Sequence, residues 1–426
     1  MRVTPEPTAT PARVPTPATS STDDAPTLLV TLTGDDRPGV TSALFDAVAP
    51  TGALVLDLEQ VVVRGQLTLA VLLAPGGYLS DLRDVVEGVG ERLGLAVNVV
   101  EGRGDNRNRR TGRAAVVVLG APLGATAVAA VSRSVAAHGA NIDRIRRLSR
   151  YPVTTLELDV SGADLDSMRR ELALVAAHEK VDIAVSPSGL ARRGRRLVVM
   201  DVDSTLIQDE VIELLARHAG REQEVAAVTE RAMAGELDFA ESLHARVATL
   251  EGLDASVLAA VRDSVRLTPG ARTLVRTLKR LGFTVALVSG GFIEIVQPIA
   301  DELDIDHARA NRLEIVDGRL TGRVLGDVVD RQGKASALRE FAALAGLPLA
   351  RTVAIGDGAN DLDMLGTAGL GIAFNAKPVV REQADTAVNV PYLDAVLHLL
   401  GITREEIEEA DDADGTPTPA PSTPHD

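Results

Sequence analysis

The 426-residue sequence contains no cysteine. That excludes a disulfide framework and any thiolate metal centre, and leaves carboxylates or histidine to hold a metal. No apolar run approaches the roughly 18 residues that a membrane-spanning helix requires. The start of the chain is rich in Thr and Pro and does not run from basic to apolar as a secretory signal does. A cytoplasmic protein without membrane attachment is the expectation. The seven His are scattered without metal-ligand spacing, and no G-x-x-x-x-G-K-S/T loop occurs, so neither His catalysis nor P-loop chemistry has support. Positive charge is scarce as well. There are 44 Lys and Arg against 60 Asp and Glu, a formal net charge of −16, and such a chain repels a phosphate backbone unless its basic residues cluster. The two short basic stretches, Arg103–Arg113 and Arg192–Arg196, contain no aromatic side chain to stack on bases. They read as solvated linkers, and no nucleic acid partner is expected.

The length leaves room for two to four domains at roughly 100 to 200 residues each. Residues 1–25 and 404–426 are Pro, Thr, Ala and acid, with too little bulky apolar surface to offset the entropy of ordering, and are expected to be disordered tails. Residues 26–104 read as β-α-β-β-α-β, the split ferredoxin-like arrangement, and 114–187 repeats that order. The first module carries Gly34-Asp35-Asp36-Arg37-Pro38-Gly39-Val40 between its first strand and first helix, and on that element it resembles an ACT domain. A helix start with a glycine turn offers free N–H groups to the carboxylate of an amino acid. The second module has Gly120-Ala121-Pro122-Leu123-Gly124 at the same place. The fold is therefore expected there, while ligand binding is expected only of the first.

From Arg196 the texture changes to short apolar strands, each followed by a polar loop and a helix, as in a parallel sheet covered on both faces. Ligands of such sheets bind beyond the carboxyl ends of the strands. The strand LVVM is followed by Asp201-Val202-Asp203-Ser204-Thr205, TVALV by Ser289-Gly290-Gly291, and TVAI by Gly356-Asp357-Gly358-Ala359-Asn360-Asp361; the fourth strand, GLGIAF, precedes Asn375. Lys334 stands at the head of the helix ASALREFAALAG. Carboxylates for a hard cation, a Lys and a hydroxyl for phosphate oxygens, and a spare carboxylate for proton transfer are what phosphoryl transfer requires.

The pattern Asp-x-Asp-Ser-Thr, Ser-Gly-Gly after a strand, a downstream Lys and Gly-Asp-Gly-x-Asn-Asp resembles the haloacid dehalogenase (HAD) superfamily, and within it the phosphoserine phosphatases. The resemblance covers about 196–403. It implies an α/β fold, a HAD-type Rossmann-like parallel sheet with a small helical cap at about 207–266, preceded by the two α+β ferredoxin-like (ACT-like) domains. An Asp317-Gly318 turn within 311–326 adds a hairpin signal. The resemblance also implies a chemistry: Mg²⁺-dependent hydrolysis of O-phospho-L-serine to L-serine and phosphate through an aspartyl-phosphate, the last step of serine biosynthesis. On that likeness Asp201 is the nucleophile and Asp203 the proton donor and acceptor. Mg²⁺ falls to Asp201, the backbone carbonyl of Asp203, and Asp357, with Asp361 in support. Ser289, Gly290 and Lys334 take phosphate oxygens, Asn360 orients the phosphoryl group or substrate, and Glu210 and Arg246 hold the substrate ammonium and carboxylate. Phe239 and Met233 are expected in the cap interior near the substrate. Two other readings remain: a HAD phosphatase for another small phosphorylated amino acid or a phosphoprotein, which Glu210 and Arg246 disfavour, and an ACT-based amino-acid sensor, which the intact Asp201, Asp203, Lys334 and Asp357 disfavour. ACT-like modules commonly pair across a two-fold axis, so a homodimer is expected, with serine as the regulatory amino acid near Asp35–Gly39.

Overall fold

The computed structural model describes residues 25–104, 112–162, 164–188, 194, 196–233, 238–416 and 418. The expected tail at 1–25 (save Ala25), most of both basic stretches and the end of the chain lie outside the described residues. The chain forms two compact units, Met1–Arg109 and Arg110–Asp426.

The first unit runs β1 (Pro26–Asp35), α1 (Val40–Val48), β2 (Leu54–Val63), β3 (Gln66–Ala74), α2 (Leu79–Leu93) and β4 (Ala96–Arg103). Its antiparallel sheet has the order β2-β3-β1-β4. Alternation decides the faces: Leu28, Val30 and Leu32 of β1 are fully buried with Val40, Leu44, Val86 and Val89 of the helices, whereas Leu29 is 39% exposed on the opposite face. Strand β2 is an edge, and Leu54, Val61 and Val63 on it are exposed. Gly39 starts α1 at φ 94°, a left-handed conformation open to glycine.

The second unit opens with the same topology: β5 (Ala114–Gly120), α3 (Ala125–Ala137), β6 (Asn141–Ser149), β7 (Thr154–Ser161), α4 (Leu165–Glu179) and β8 (Asp182–Pro187), in the order β6-β7-β5-β8. Here both faces are covered over β5 and most of β8, while the edge strand β6 is largely exposed. All seven residues of β5 are buried; Ala114, Val116 and Val118 pack on α3 and α4, while Val117 and Leu119 join one core with the domain that follows.

That domain is a seven-stranded sheet built on β9 (Leu197–Met200), whose four residues are each 0% exposed. After β9 come the cap helices α5 (Val211–Ala219), α6 (Glu222–Met233), α7 (Phe239–Ala248) and α8 (Val257–Ser264). Then follow α9 (Ala271–Arg280), β10 (Thr284–Phe292), α10 (Ile293–Glu302), β11 (His307–Val316), β12 (Arg319–Leu325), α11 (Arg331–Leu344), β13 (Thr352–Gly356), α12 (Leu362–Thr367), β14 (Leu370–Phe374), α13 (Pro378–Arg381), β15 (Thr386–Val388), α14 (Ala395–Leu399) and α15 (Arg404–Ala413). The order is β12-β11-β10-β9-β13-β14-β15, parallel except for the β11–β12 hairpin. The chain builds one side of β9 first and then the other, so β9 is a topological switch point and the crevice opens at its carboxyl end. The hairpin turns at Asp317 and Gly318, both at positive φ, as a two-residue type I′ turn requires. Its strand β12 holds the cap loop through Gly252 N–H to the Leu320 carbonyl (2.8 Å) and Leu320 N–H to the Leu253 carbonyl (2.9 Å). At the far edge Thr386 donates to the Ile183 carbonyl (3.0 Å), and Asp182 accepts from the Asn389 N–H (2.7 Å), joining β8 to β15.

The segment from 404 departs from the expected disordered tail. Residues 404–413 are helix α15, started by a reciprocal cap between Thr403 and Glu406. Asp411 is fully buried, paired with Arg276 (2.9 and 2.6 Å) and with Arg280 of α9. The acidic run orders because its counter-charges come from a helix distant in sequence, which local composition does not reveal.

Candidate active site

The strand ends place the expected residues around one cavity of about 390 Å³. Its walls include Asp201, Asp203, Glu210, Phe239, Arg246, Gly290, Lys334, Asp357 and Asn360. Ser289 and Asp361 sit directly behind that wall, both 0% exposed. The side chain of Met233 lies outside the described residues.

Asp201 leaves β9 with its N–H bonded to the Ile355 carbonyl of β13 (2.9 Å). Its Oδ1 accepts from the Val202 N–H and from Lys334 Nζ, both at 2.8 Å. The backbone then turns tightly over Val202–Leu206, with Ser204 left-handed at φ 56°. This turn, rather than an extended strand, brings Asp203 round to the same cavity. Asp203 accepts from the Val211 N–H at the head of α5 (2.7 Å) and from Ser289 Oγ (3.0 Å). Burial raises the pKa of both carboxyls above the usual range; for Asp201 the Asp361 charge adds to that and Lys334 opposes it.

Lys334 is fully buried, its ammonium 2.8 Å from Asp201 and 2.7 Å from Asp361. Burial alone would favour the neutral amine, but the two carboxylates more than offset it and hold the Lys334 pKa above its ordinary value. Asp361 also accepts from the Gly358 N–H (3.0 Å), so both its oxygens are engaged. Its carboxyl presses against Gly356, where a Cβ would come within 2.5 Å of Asp361 Cγ, so position 356 needs glycine. Burial, and next the Asp361 charge, push Asp357 up to about 6; Thr205 Oγ1 lies 3.4 Å from it.

Asp201, Asp357 and Asp361 each offer an oxygen within 4.8 Å of the others. Three crowded carboxylates face one ammonium, and the Asp361 charge adds to burial in raising the Asp357 pKa. An all-oxygen donor set with excess charge fits a hard divalent cation. The Asp203 carboxylate is committed to Val211 and Ser289, which leaves only its backbone carbonyl for such an ion.

On the cap side, Glu210 stands just before α5 without a side-chain bond to the helix head and accepts from Ser204 Oγ (2.8 Å). It keeps solvent access at the cleft mouth, yet partial burial, then the Asp203 charge, push it up to about 7. Arg246 on α7 is bound through Nε to the Ser242 carbonyl (3.3 Å); burial lowers its pKa, and Glu210 works against that shift. Phe239 closes over the Ser289-Gly290-Gly291 loop, its Cζ 3.1 Å from where a Cβ on Gly290 would stand. Lys377, Val379 and Val380, which follow β14, also line the cavity. The strand-end rule extends to that fourth loop, and Lys377 is the residue it adds to the set.

The haloacid dehalogenase-like hydrolase family matches residues 198–366, and ACT domain families match 26–100 and 113–186. A Streptomyces coelicolor protein named phosphoserine phosphatase is 62% identical over 394 residues, 92% of this chain and 96% of that one. Phosphoserine phosphatase SerB2 of Mycobacterium tuberculosis is 55% identical over 392 residues, 91% of this chain and 96% of its own. Among solved structures, a probable phosphoserine phosphatase from Vibrio cholerae in unliganded form superposes with a TM-score of 0.55 at 37% identity, over 67% of this chain and 86% of that chain.

Proposed function

Because the chain belongs to the phosphoserine phosphatase family of haloacid dehalogenase-like hydrolases, we propose that it hydrolyses O-phospho-L-serine to L-serine and phosphate at this cavity. The observation that carries the substrate is the pairing of Glu210 and Arg246 on the cap wall with Asp201 and Lys334 on the sheet wall. One wall suits an ammonium and a carboxylate, the other a phosphoryl group. A simple phosphomonoester would leave the cap charges unmatched.

Asp201 is the nucleophile. Lys334 and the Val202 N–H hold its Oδ1, leaving Oδ2 to attack phosphorus and form an aspartyl-phosphate. Asp203, with its pKa raised, gives its proton to the departing serine oxygen and then takes one from the water that cleaves the acyl phosphate. Ser289 and the Gly290 N–H, with Lys334, meet the non-bridging oxygens, where charge spreads in the transition state, and Asn360 orients the phosphoryl group. Asp201, Asp357 and the carbonyl of Asp203 would hold Mg²⁺, with Asp361 steadying them from behind. Bound there, the ion supplies neutralising charge to the phosphoryl oxygens. The cap excludes bulk water during attack.

The same reading extends to the rest of the chain. The exposed apolar edge strand β2 suits pairing with a second copy, so the enzyme is a homodimer. Serine binds the first ACT domain at the α1 start near Asp35–Gly39 and regulates the enzyme, which works in the cytoplasm. The deciding experiment is phosphate release from L-phosphoserine beside phosphothreonine, phosphohomoserine and p-nitrophenyl phosphate, with Mg²⁺ and with EDTA. A strong, metal-dependent preference for phosphoserine is expected; equal rates on every ester would refute the role of Glu210 and Arg246.

A further inference from the structure

The phosphate grip comes from two separate elements, the Ser289-Gly290-Gly291 loop and the head of α11 that carries Lys334. Each is anchored to a neighbour. The Gly291 N–H donates to Ser289 Oγ (2.7 Å), which donates to Asp203 (3.0 Å). Asp330 caps α11 by accepting from the Gly333 N–H (2.7 Å), and the Lys334 N–H bonds to the Asp330 carbonyl (2.9 Å). One side chain links the two elements. Asn311 of β11 is 1% exposed; its Nδ2 donates to the Gly290 carbonyl (2.8 Å), and its Oδ1 accepts from the Val329 N–H (2.8 Å), the residue before the Asp330 cap.

The sheet explains why this link is needed. The β10–β11 ladder pairs Val288 with Arg309 and resumes at Phe292 with Asn311, so its register breaks over Ser289–Gly291. The Gly290 carbonyl therefore loses its regular strand partner where the loop must bend toward phosphate. A buried carbonyl without a partner is costly, and the Asn311 amide satisfies it. An amide can donate to one element and accept from the other at once; among side chains of this size neither a carboxylate nor an apolar group does both.

We propose that Asn311 is a positioning residue, a brace that fixes the distance between the Gly290 loop and the Lys334 helix so that both meet the same phosphoryl group. It touches no reacting atom, and the inference rests on the phosphatase reading of the site. The test measures inhibition by inorganic phosphate and by L-serine in wild type, Asn311→Ala and Asn311→Asp, with thermal melting beside it. Both variants lose the bond to Gly290, and Asn311→Asp keeps the acceptor for Val329, so it decides the matter if Asn311→Ala does not fold. Misplacing a binding element by about 1 Å costs on the order of 10²-fold. Accordingly the inhibition constant for phosphate should rise about tenfold or more, while that for L-serine at the cavity, held by the cap and read from its competition with substrate apart from any effect through the first ACT domain, stays within about threefold. A merely structural role would lower the active fraction and leave both constants unchanged, and that result would overturn the brace. So would an equal rise in both constants. Should wild type ignore phosphoserine, the substrate reading alone falls, and phosphate inhibition of p-nitrophenyl phosphate turnover still tests Asn311.

Discussion

Replacing Lys334 by Met removes the ammonium and keeps most of the side-chain volume. Asp201 and Asp361, 3% and 0% exposed, then lose the cation at 2.8 and 2.7 Å from their oxygens. Removing one partner of a buried ion pair costs about 3–5 kcal/mol. Two carboxylates share this ammonium, so the upper end is expected in metal-free protein near pH 8. The pH dependence has a definite sign. In wild type the Lys334 pKa lies above its unfolded value, so its stabilisation is complete below the unfolded lysine pKa and is lost only as the pH rises through the higher folded value. In Lys334→Met the raised Asp201 pKa dominates: its folded value exceeds the unfolded 3.8, so stability is greatest at low pH and falls as pH climbs through that window. Urea melts in EDTA at pH 5 and pH 8 should show the variant closer to wild type at pH 5. Turnover should fall by about 10³-fold or more, because Asp201 loses the ammonium that holds its Oδ1 in place and the cation that would meet the phosphoryl oxygens is gone. A loss of less than about 1 kcal/mol at pH 8, or equal losses at both pH values, would refute the reasoning.

For Arg246→Ala, the lost charge-assisted contact to the substrate carboxylate is worth about 3 kcal/mol, so kcat/KM for phosphoserine should drop about 100-fold and that for p-nitrophenyl phosphate by less than about threefold; parallel losses on both would remove the carboxylate role. In Asp411, burial would raise the pKa, but Arg276, Thr418 and Arg280 more than offset this and hold it at about 2. Its folded value lies below the unfolded 3.8, so the stabilisation is present above that pH and disappears as the pH falls through about 2. Asp411→Asn should therefore destabilise the protein at pH 7 by about 2 kcal/mol and expose α15 to proteolysis, whereas an unchanged urea midpoint would show the clamp to be neutral.

The strands of the catalytic sheet were legible because strands buried on both faces read as unbroken apolar runs, and the loops that follow them had to meet at the switch point. The same contrast separates the two small modules. In β1 the run LLVTLT alternates, whereas in β5 AAVVVLG does not, and only the second is covered on both sides. Other features depend on distant partners. Asp411 looked solvated until Arg276 and Arg280 came to it from α9, and Asn311 resembled a hairpin residue until the broken ladder left the Gly290 carbonyl needing a donor. The tight turn over Val202–Leu206 that carries Asp203 is likewise not predicted by a two-residue spacing.

The double burial of β5 has a practical consequence for anyone dissecting this protein. Two modules of like topology invite a single cut after both, near residue 190. Such a cut would peel Val117, Leu119, Leu148, Val153 and Ala184 from the core they share with the catalytic sheet. The released enzyme would bear a raw apolar scar along β15 and would tend to self-associate. The natural seam lies earlier, near residue 109, where the compact units divide. Of the two copies, the second is built into the core of the catalytic sheet, whereas the first closes around a core of its own.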